Sequence, residues 1–278
     1  MLVTVPMQKA NVLGIGVHAL TMRTAVDEIT TAVLTRHKGY VCVAGVHGVM
    51  EARRDPFLAR IFRDAFLVVP DGMPTVWMGR WQGLSMARVF GPDLMLAVLR
   101  ERRLAHAKHY LYGSLPGVAK QLEQMLVQNF PGLRIVGSYC PPFRPLSTSE
   151  QSDLVGEVNR LQPDIIWVGL STPKQEVFMA DYLPKLETTV MIGVGAAFDF
   201  HTGRINDSPI WIKQMGLQWL HRLAQDPRRL WRRYLLNNPP FVWNAALQLL
   251  GVETFPLDAV SERQAAILHS DPERHCRS

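Results

Sequence analysis

The chain has 278 residues, and its 30 Lys and Arg against 24 Asp and Glu give a formal net charge of +6. A hydrophobic fraction of 47% excludes an intrinsically disordered chain and is enough for one large domain, with or without an appendage. Three cysteines without paired or metal-ligand spacing favour a reducing compartment. No apolar run reaches the ~18 residues of a membrane-spanning helix, and no signal-peptide pattern begins the chain, so we expect a cytoplasmic location.

Short apolar strands alternate with amphipathic helices along most of the chain. A first strand is predicted at 11–18, a helix capped by Thr21 at 25–36, and a helix at about 50–63. Further strands are predicted at 40–44, 66–69, 109–113, 133–139, 164–169 and 189–195. This alternation predicts an α/β fold with a mainly parallel, Rossmann-like sheet and helices on both faces. The turns that follow the strands then meet along one edge and form one cleft.

One carboxylate, Asp71, follows the strand at 66–69 directly. Pro70 cannot extend a sheet ladder, and Gly72 permits a sharp turn. Open α/β sheets place ligand chemistry at the carboxyl ends of their strands. On local sequence alone, Asp71 is either a turn or N-cap residue ahead of the next helix or a catalytic acid.

Other turns also carry polar side chains. His47 lies in a glycine-containing stretch, 45–48, predicted to be a flexible loop, and Arg88 precedes a helix start without a local acid. Thr172 and Gln175 fit a capping box with proline at the first helical position. Capping does not explain Lys174, because a cation in the first turn of a helix is unfavourable unless an anion is also present. These residues are candidate substrate contacts.

The last strand of the pattern ends in Gly193 and Gly195. The third position of a dinucleotide-binding fingerprint is occupied by Phe198, which argues against a nucleotide-dependent oxidoreductase. Asp199, just beyond, is either a structural hydrogen-bonding residue or a substrate contact.

From residue 208 the composition changes. Residues 201–250 hold seven basic and two acidic side chains, and four of the seven tryptophans. Two helical segments are predicted, with breaks at Pro227 and at Asn238-Pro239-Pro240. Five arginines fall within twelve residues: Arg222, Arg228, Arg229, Arg232 and Arg233.

Such an arginine cluster with few acids is poorly suited to ion pairs within a helix and well suited to binding phosphate. Together with the tryptophans it indicates an anionic surface as partner, either a membrane or a nucleic acid. We therefore predict a catalytic domain at 1–207, a basic aromatic appendage at 208–250 and a flexible tail at 251–278.

Taken together, the motifs resemble the WecG/TagA/CpsF family of bacterial glycosyltransferases. The matching motifs keep the family's order: PDGM at 70–73, RVFGPDL at 88–94, GLSTPKQE at 169–176, GVGAAFD at 193–199 with GR at 203–204, and GLQWLHR at 216–222 with PRRLWRRY at 227–234. The stretch GVHGVMEA at 45–52 resembles the GumM-like branch, which acts in exopolysaccharide assembly.

The resemblance implies an inverting, metal-independent transferase without a cofactor. It would move a hexosyl unit from a UDP-sugar to a polyprenyl-diphosphate-linked sugar, as a peripheral protein on the inner face of the plasma membrane. Asp71 would be the general base, with Arg88 and Gln175 in the substrate pocket. The five C-terminal arginines would bind the acceptor diphosphate, and homo-oligomers are compatible with the family.

The chain also departs from the family pattern. Ala44 and Val46 stand where many members have a threonine and an asparagine in the pocket, which makes His47 a candidate replacement. Gln218 stands where the family has a glutamate. The alternative function is a basic membrane- or nucleic-acid-binding protein without catalysis. An acid at the strand end favours the enzyme, so nucleic acid is not the expected partner.

Overall fold

The computed structural model describes residues 7–257, which begin with an antiparallel hairpin of β1 (Lys9–Val12) and β2 (Ile15–His18). The turn places Leu13 and Gly14 at positive φ, 54° and 88°, and Asn11 Oδ1 accepts a hydrogen bond from Gly14 N at 2.8 Å. The prediction of a single strand at 11–18 is therefore wrong. The turn is not recognisable as a gap in the apolar pattern, because Leu13 is buried and continues the apolar run.

Six further strands form one sheet in which every neighbouring pair is parallel. In chain order they are β3 (Gly39–Ala44), β4 (Leu67–Pro70), β5 (Lys108–Gly113), β6 (Arg134–Tyr139), β7 (Ile165–Gly169) and β8 (Val190–Gly193). Their spatial order is β4-β3-β8-β7-β5-β6. All but β6 are buried almost throughout, as expected for a parallel sheet covered on both faces. The predicted fold class is confirmed.

Helices cover both faces of this sheet. The first nine are α1 (Met22–Leu34), α2 (Val46–Arg54), α3 (Pro56–Asp64), α4 (Met73–Trp81), α5 (Gly91–Leu99), α6 (Val118–Asn129), α7 (Thr148–Leu161), α8 (Lys174–Tyr182) and α9 (Ala197–His201). The core is divided into two clusters of buried side chains. One includes residues of α2, α3, α7 and α8, and the other includes residues of α1, α5 and α6.

The segment between β3 and β4 differs from its prediction. His47 lies in the first turn of α2 rather than in a flexible loop. The helix predicted at 50–63 is two helices, because Pro56 starts α3 and Asp55 caps it by accepting from Phe57 N at 2.9 Å. The sequence Asp-Pro favours a helix start over a helix interior.

The basic segment forms α10 (Ile210–Gln214), α11 (Gln218–Gln225) and α12 (Pro227–Leu249). The break at Pro227 is confirmed. The break predicted at 238–240 is wrong, because α12 continues through Pro239 and Pro240. The buried side chains of Phe241 and Ala245 join the core cluster that contains α2, and this packing holds the helix together beyond the prolines.

Residues 251–257 return to the hairpin. Asn11 Nδ2 donates to Phe255 O at 2.7 Å, and the Arg53 guanidinium lies 4.6 Å from the centre of the Phe255 ring. The rest of the predicted tail, 258–278, lies outside the described residues, and the domain boundaries stay predictions. Across the described range, 7–257, no helix combines the length and the apolar character needed to cross a membrane.

Candidate active site

Asp71 directly follows β4 at the carboxyl edge of the sheet. Its N–H donates to Ala44 O at the end of the neighbouring strand β3, at 3.2 Å. Its Oδ1 accepts from the N–H of Gly91, the first residue of α5, at 3.0 Å, and its carbonyl accepts from Arg88 Nε at 2.8 Å. The following helix α4 is capped by Gly72. Asp71 therefore does not cap α4; its side chain instead bonds the start of a helix twenty residues away.

The second carboxylate oxygen of Asp71, Oδ2, accepts no hydrogen bond from any of residues 7–257. It faces Gly45, where an added Cβ would lie 3.5 Å away. Loss of surrounding water raises the pKa of Asp71, against the opposing effects of Arg88, the Gly91 N–H, Arg222 and Arg233. A carboxylate with one oxygen fixed and one free is suited to accept a proton from a bound hydroxyl.

Arg88 connects this strand end to the basic helices. Besides its bond to the Asp71 carbonyl, its Nη2 donates to Gln218 Oε1 in α11, and its guanidinium lies 4.3 Å from the centre of the Phe90 ring. Arg88 has no acidic partner nearby in the sequence; its partners are the Asp71 carbonyl and the side-chain amide of Gln218, 130 residues away. Because Gln218 is neutral, this bond brings no second carboxylate to Arg88 beside Asp71.

Gln175 is buried in the first turn of α8, with 1% of its surface exposed. Its Oε1 accepts from Gly195 N at 3.0 Å, and its Nε2 donates to Glu176 Oε1 at 2.8 Å. A Cβ at Gly193 would lie 3.1 Å from the Gln175 side chain, so the glycine makes room for the amide. The two glycines thus support Gln175, which agrees with rejecting a dinucleotide-binding motif there.

The predicted capping box at Thr172 is wrong. The Thr172 hydroxyl donates to Glu176 Oε1 at 3.0 Å instead of accepting from a backbone N–H, and α8 begins at Lys174 after Pro173. The Thr172 hydroxyl therefore supports the Glu176 side chain, and α8 begins without a side-chain cap.

Glu176 is a site residue that the sequence analysis did not assign, although it ends the motif at 169–176. It is fully buried, and its Oε2 has no hydrogen-bond partner among the described residues. Burial raises the pKa of Glu176, while the donors Gln175 and Thr172 and the charge of Arg233 lower it. The charged form of Glu176 is thus stabilised by its own neighbours Gln175 and Thr172 and, more weakly, by Arg233 of the basic segment.

His47 joins the turn before α8 to helix α12. Its Nδ1 lies 3.1 Å from Asn237 Nδ2, and its Nε2 lies 3.3 Å from Thr172 O. Burial and the charge of Arg233 lower the pKa of His47 to about 4, so the ring is neutral at pH 7. Since an amide nitrogen can only donate, Nδ1 is the acceptor and Nε2 carries the proton given to Thr172 O. Both ring nitrogens have protein partners, and the predicted substrate contact of His47 stays a prediction.

The five C-terminal arginines divide into two groups. Arg222 lies 5.3 Å from the centre of the Phe200 ring, and Arg233 interacts electrostatically with both Asp71 and Glu176. The Nε atom of Arg233 is buried and has no hydrogen-bond partner within residues 7–257. The remaining three, Arg228, Arg229 and Arg232, have exposed side chains. Two arginines thus act on the carboxyl groups at the sheet edge, and three are exposed on α12, where Arg229 pairs with Asp226 at 2.6 Å.

Two predicted contacts lie apart from the hydrogen bonds around Asp71 and Glu176. Lys174 is exposed at the start of α8, and Asp199 in α9 forms an ion pair with Arg204 at 3.4 Å. Substrate roles for both stay predictions. Among residues 7–257, no group of three or more His, Cys, Asp and Glu side chains could hold a metal ion.

The sequence that builds this arrangement of a strand-end acid, a buried Gln-Glu pair and nearby arginines also matches a known family. Residues 10–254 match the Glycosyl transferase WecG/TagA/CpsF family. The chain belongs to this family. Membership of this family makes the protein a glycosyltransferase.

Similar curated proteins carry the name N-acetylglucosaminyldiphosphoundecaprenol N-acetyl-beta-D-mannosaminyltransferase. The one from Bacillus spizizenii is 26% identical over 219 residues, which are 78% of this chain and 82% of that protein. The one from Staphylococcus aureus strain MW2 is 25% identical over 241 residues, 86% of this chain and 92% of that protein. The family match over residues 10–254 includes both the sheet and the basic helices.

Proposed function

We propose that this WecG/TagA/CpsF member is an inverting transferase that moves a hexosyl unit from a UDP-sugar to a polyprenyl-diphosphate-linked saccharide. The acceptor class is supported by the names of the relatives, which denote transfer to N-acetylglucosaminyldiphosphoundecaprenol. The observation that carries the proposal is Asp71, with Oδ1 held by Gly91 and Oδ2 unbonded at the carboxyl edge of the sheet.

In this mechanism Asp71 Oδ2 takes the proton of the acceptor hydroxyl while the hydroxyl oxygen attacks the anomeric carbon of the donor. The bond from that carbon to the UDP oxygen breaks, and UDP leaves with the electron pair. Because attack and departure occur on opposite sides, the anomeric configuration inverts. Glu176 is fully buried, so Asp71 is the carboxylate at this strand end with an oxygen left to act, which favours a single displacement over a covalent intermediate.

The charge that develops on the leaving diphosphate needs fixed positive groups. Arg222 and Arg233 are close enough to influence the pKa of Asp71, and they supply charge at the same edge of the sheet. Arg88 adds a third cation that is anchored to the Asp71 carbonyl. Preorganised arginines stabilise such charge strongly because they need little rearrangement during the reaction.

The surface of the basic segment supports binding to an anionic membrane on the cytoplasmic side, where the lipid-linked acceptor would lie. Trp211, Trp231 and Trp243 are 59%, 47% and 68% exposed, and the exposed arginines lie on the same segment. Tryptophan and arginine side chains together favour the interface between water and lipid headgroups. The acceptor's diphosphate would then meet the exposed Arg228, Arg229 and Arg232 at the membrane, while Arg222 and Arg233 face the leaving UDP.

A donor screen tests this function directly. Purified protein is mixed with a polyprenyl-diphosphate-linked N-acetylglucosamine and, in turn, UDP-glucose, UDP-glucuronate, UDP-ManNAc and UDP-ManNAcA. A lipid-linked disaccharide of inverted configuration, detected by mass spectrometry and NMR, is the expected product with one donor. No product from any donor, together with RNA binding that UDP-sugars do not compete away, would favour the non-catalytic alternative.

A further inference from the structure

Helix α12 contains two prolines that leave helix carbonyls without their usual donors. In an α-helix each N–H bonds the carbonyl four residues earlier, and proline has no N–H. Pro239 and Pro240 therefore leave Leu235 O and Leu236 O without this bond. These two carbonyls lie one turn beyond Arg233, the arginine that reaches the cleft.

Arg54, the last residue of α2, occupies this gap. Its Nη2 donates to Leu236 O at 2.9 Å, and its Nη1 donates to Asn237 Oδ1 at 2.9 Å and to Glu51 Oε1 at 3.0 Å. One planar guanidinium thus binds a backbone carbonyl and a side-chain amide of α12 together, a fork geometry that lysine cannot reproduce.

Asn237 completes the network from within α12. It is 3% exposed, and its Nδ2 donates to Arg233 O at 2.7 Å and to His47 Nδ1 at 3.1 Å. His47 in turn contacts Thr172 O at the start of α8, beside Gln175 and Glu176. The network therefore runs from α2 through α12 to the turn before α8.

We propose that Arg54, Asn237 and His47 form a polar latch that docks α12 on α2 through the carbonyl freed by Pro240 and thereby positions Arg233 at the cleft. The three are positioning residues, because they act through Arg233. The effect of the latch on catalysis rests on the proposed function, whereas the docking of α12 on α2 does not.

The distribution of burial along α12 favours a role beyond packing. The fully packed apolar anchors Phe241 and Ala245 lie on the C-terminal side of the latch. On the N-terminal side Leu230 is the buried apolar residue, while Leu235 and Leu236 are each 61% exposed. The half of α12 that carries the arginines therefore has few apolar contacts, and the latch is its main polar connection to α2.

Hydrogen exchange of the full chain tests the docking without any assay of activity. Arg54→Met takes the donor from Oδ1 of the buried Asn237, and Asn237→Leu removes the bonds to Arg233 O and His47 Nδ1. Amides of 227–237 should therefore exchange roughly 10-fold to 100-fold faster in both variants. Amides of β3 and β8 should exchange as in the wild type. Arg63→Met is the matched control, since Arg63 is exposed and pairs with Asp64. Unchanged exchange at 227–237 in both latch variants would overturn the proposal.

A double-mutant cycle tests the consequence for transfer. If Arg54 acts through Arg233, then Arg54→Met combined with Arg233→Met should lower kcat/KM for the acceptor no more than about threefold beyond Arg233→Met alone. Independent, multiplicative losses would overturn the positioning role. Should Arg54→Met unfold the sheet, Arg54→Lys decides, with faster exchange confined to 227–237 expected. A wild type that transfers no sugar would refute the proposed function and leave the exchange result to decide the latch.

Discussion

Replacing Gly91 with alanine would disturb the contact that fixes the Asp71 carboxylate. Gly91 N donates to Asp71 Oδ1 at 3.0 Å, and an added Cβ would lie 2.9 Å from Val194 O and 3.3 Å from Val194 C and Cα. These are backbone atoms directly after the buried strand β8, so they cannot turn aside as a flexible side chain would. The start of α5 or the backbone after β8 must therefore shift, which disturbs the hydrogen bond from Gly91 N to Asp71.

Two costs follow for Gly91→Ala. Overpacking costs about 1–3 kcal/mol, and weakening a hydrogen bond to a carboxylate costs about 1.5–3 kcal/mol. A combined loss of roughly 2.5–6 kcal/mol corresponds to a fall in Tm of roughly 5–24 °C, measured by thermal unfolding. The control is Gly156→Ala in α7, whose Cβ would meet no atom within 4 Å. It should raise stability by about 0.5–1 kcal/mol.

The same variant should shift the pH dependence of transfer. The Gly91 hydrogen bond lowers the pKa of Asp71, so weakening it lets burial raise that pKa further. A general base must be deprotonated, so the acidic limb of kcat/KM moves to higher pH. A Gly91→Ala protein with wild-type Tm and an unmoved acidic limb would refute both the close contact and the role of Asp71.

Three further outcomes are expected. Burial raises the pKa of Glu176 in the folded protein, so the wild type loses stability as pH rises from the ordinary Glu pKa of 4.5 through the folded-state pKa. Glu176→Gln cannot ionise, so its Tm relative to the wild type should rise over that interval, and a constant difference would contradict the assignment. Trp231→Ser with Trp243→Ser should weaken sedimentation with anionic liposomes while Tm stays near wild type; unaltered sedimentation would argue against this membrane surface. Gly216→Ala, at φ +70° with its Cβ 2.7 Å from Trp77 Cη2, should lower Tm by several degrees and change tryptophan emission, and an unaffected spectrum would disprove this packing.

The sheet could be predicted from sequence because its strands are short, apolar runs separated by helical patterns. Buried parallel strands require such runs, and their ends must share one edge, which is how Asp71 could be placed in a cleft with the turn at Thr172. The hairpin turn at Leu13 could not be predicted, because its side chain faces the core and gives no polar signal.

The errors nearer the site arose where distant contacts override local rules. The Pro239-Pro240 pair predicts a helix end, but Arg54 supplies the donor missing at Leu236, and Phe241 packs into the core. Asn237 has no local signal at all, since its contact with His47 spans 190 residues. A single sequence carries no record of such pairs.

The same limit applies to the arginine cluster. Composition predicts that the five arginines bind phosphate. Which arginines of α12 face Asp71 and Glu176 depends on the orientation of α12 about its axis, relative to α2. Arg233 is turned inward because Asn237, one turn later, is buried against His47 and Arg54. Arg228, Arg229 and Arg232 remain exposed. Helical periodicity alone could not choose between these faces, since both are basic.

The most direct test of the account is single-turnover transfer by Asp71→Asn with the donor found in the screen. Asparagine keeps an oxygen for the Gly91 N–H but cannot take a proton. We expect transfer to fall about 10²- to 10⁴-fold, with UDP affinity and Tm close to those of the wild type. Transfer at near the wild-type rate would contradict the assignment of Asp71 as the general base.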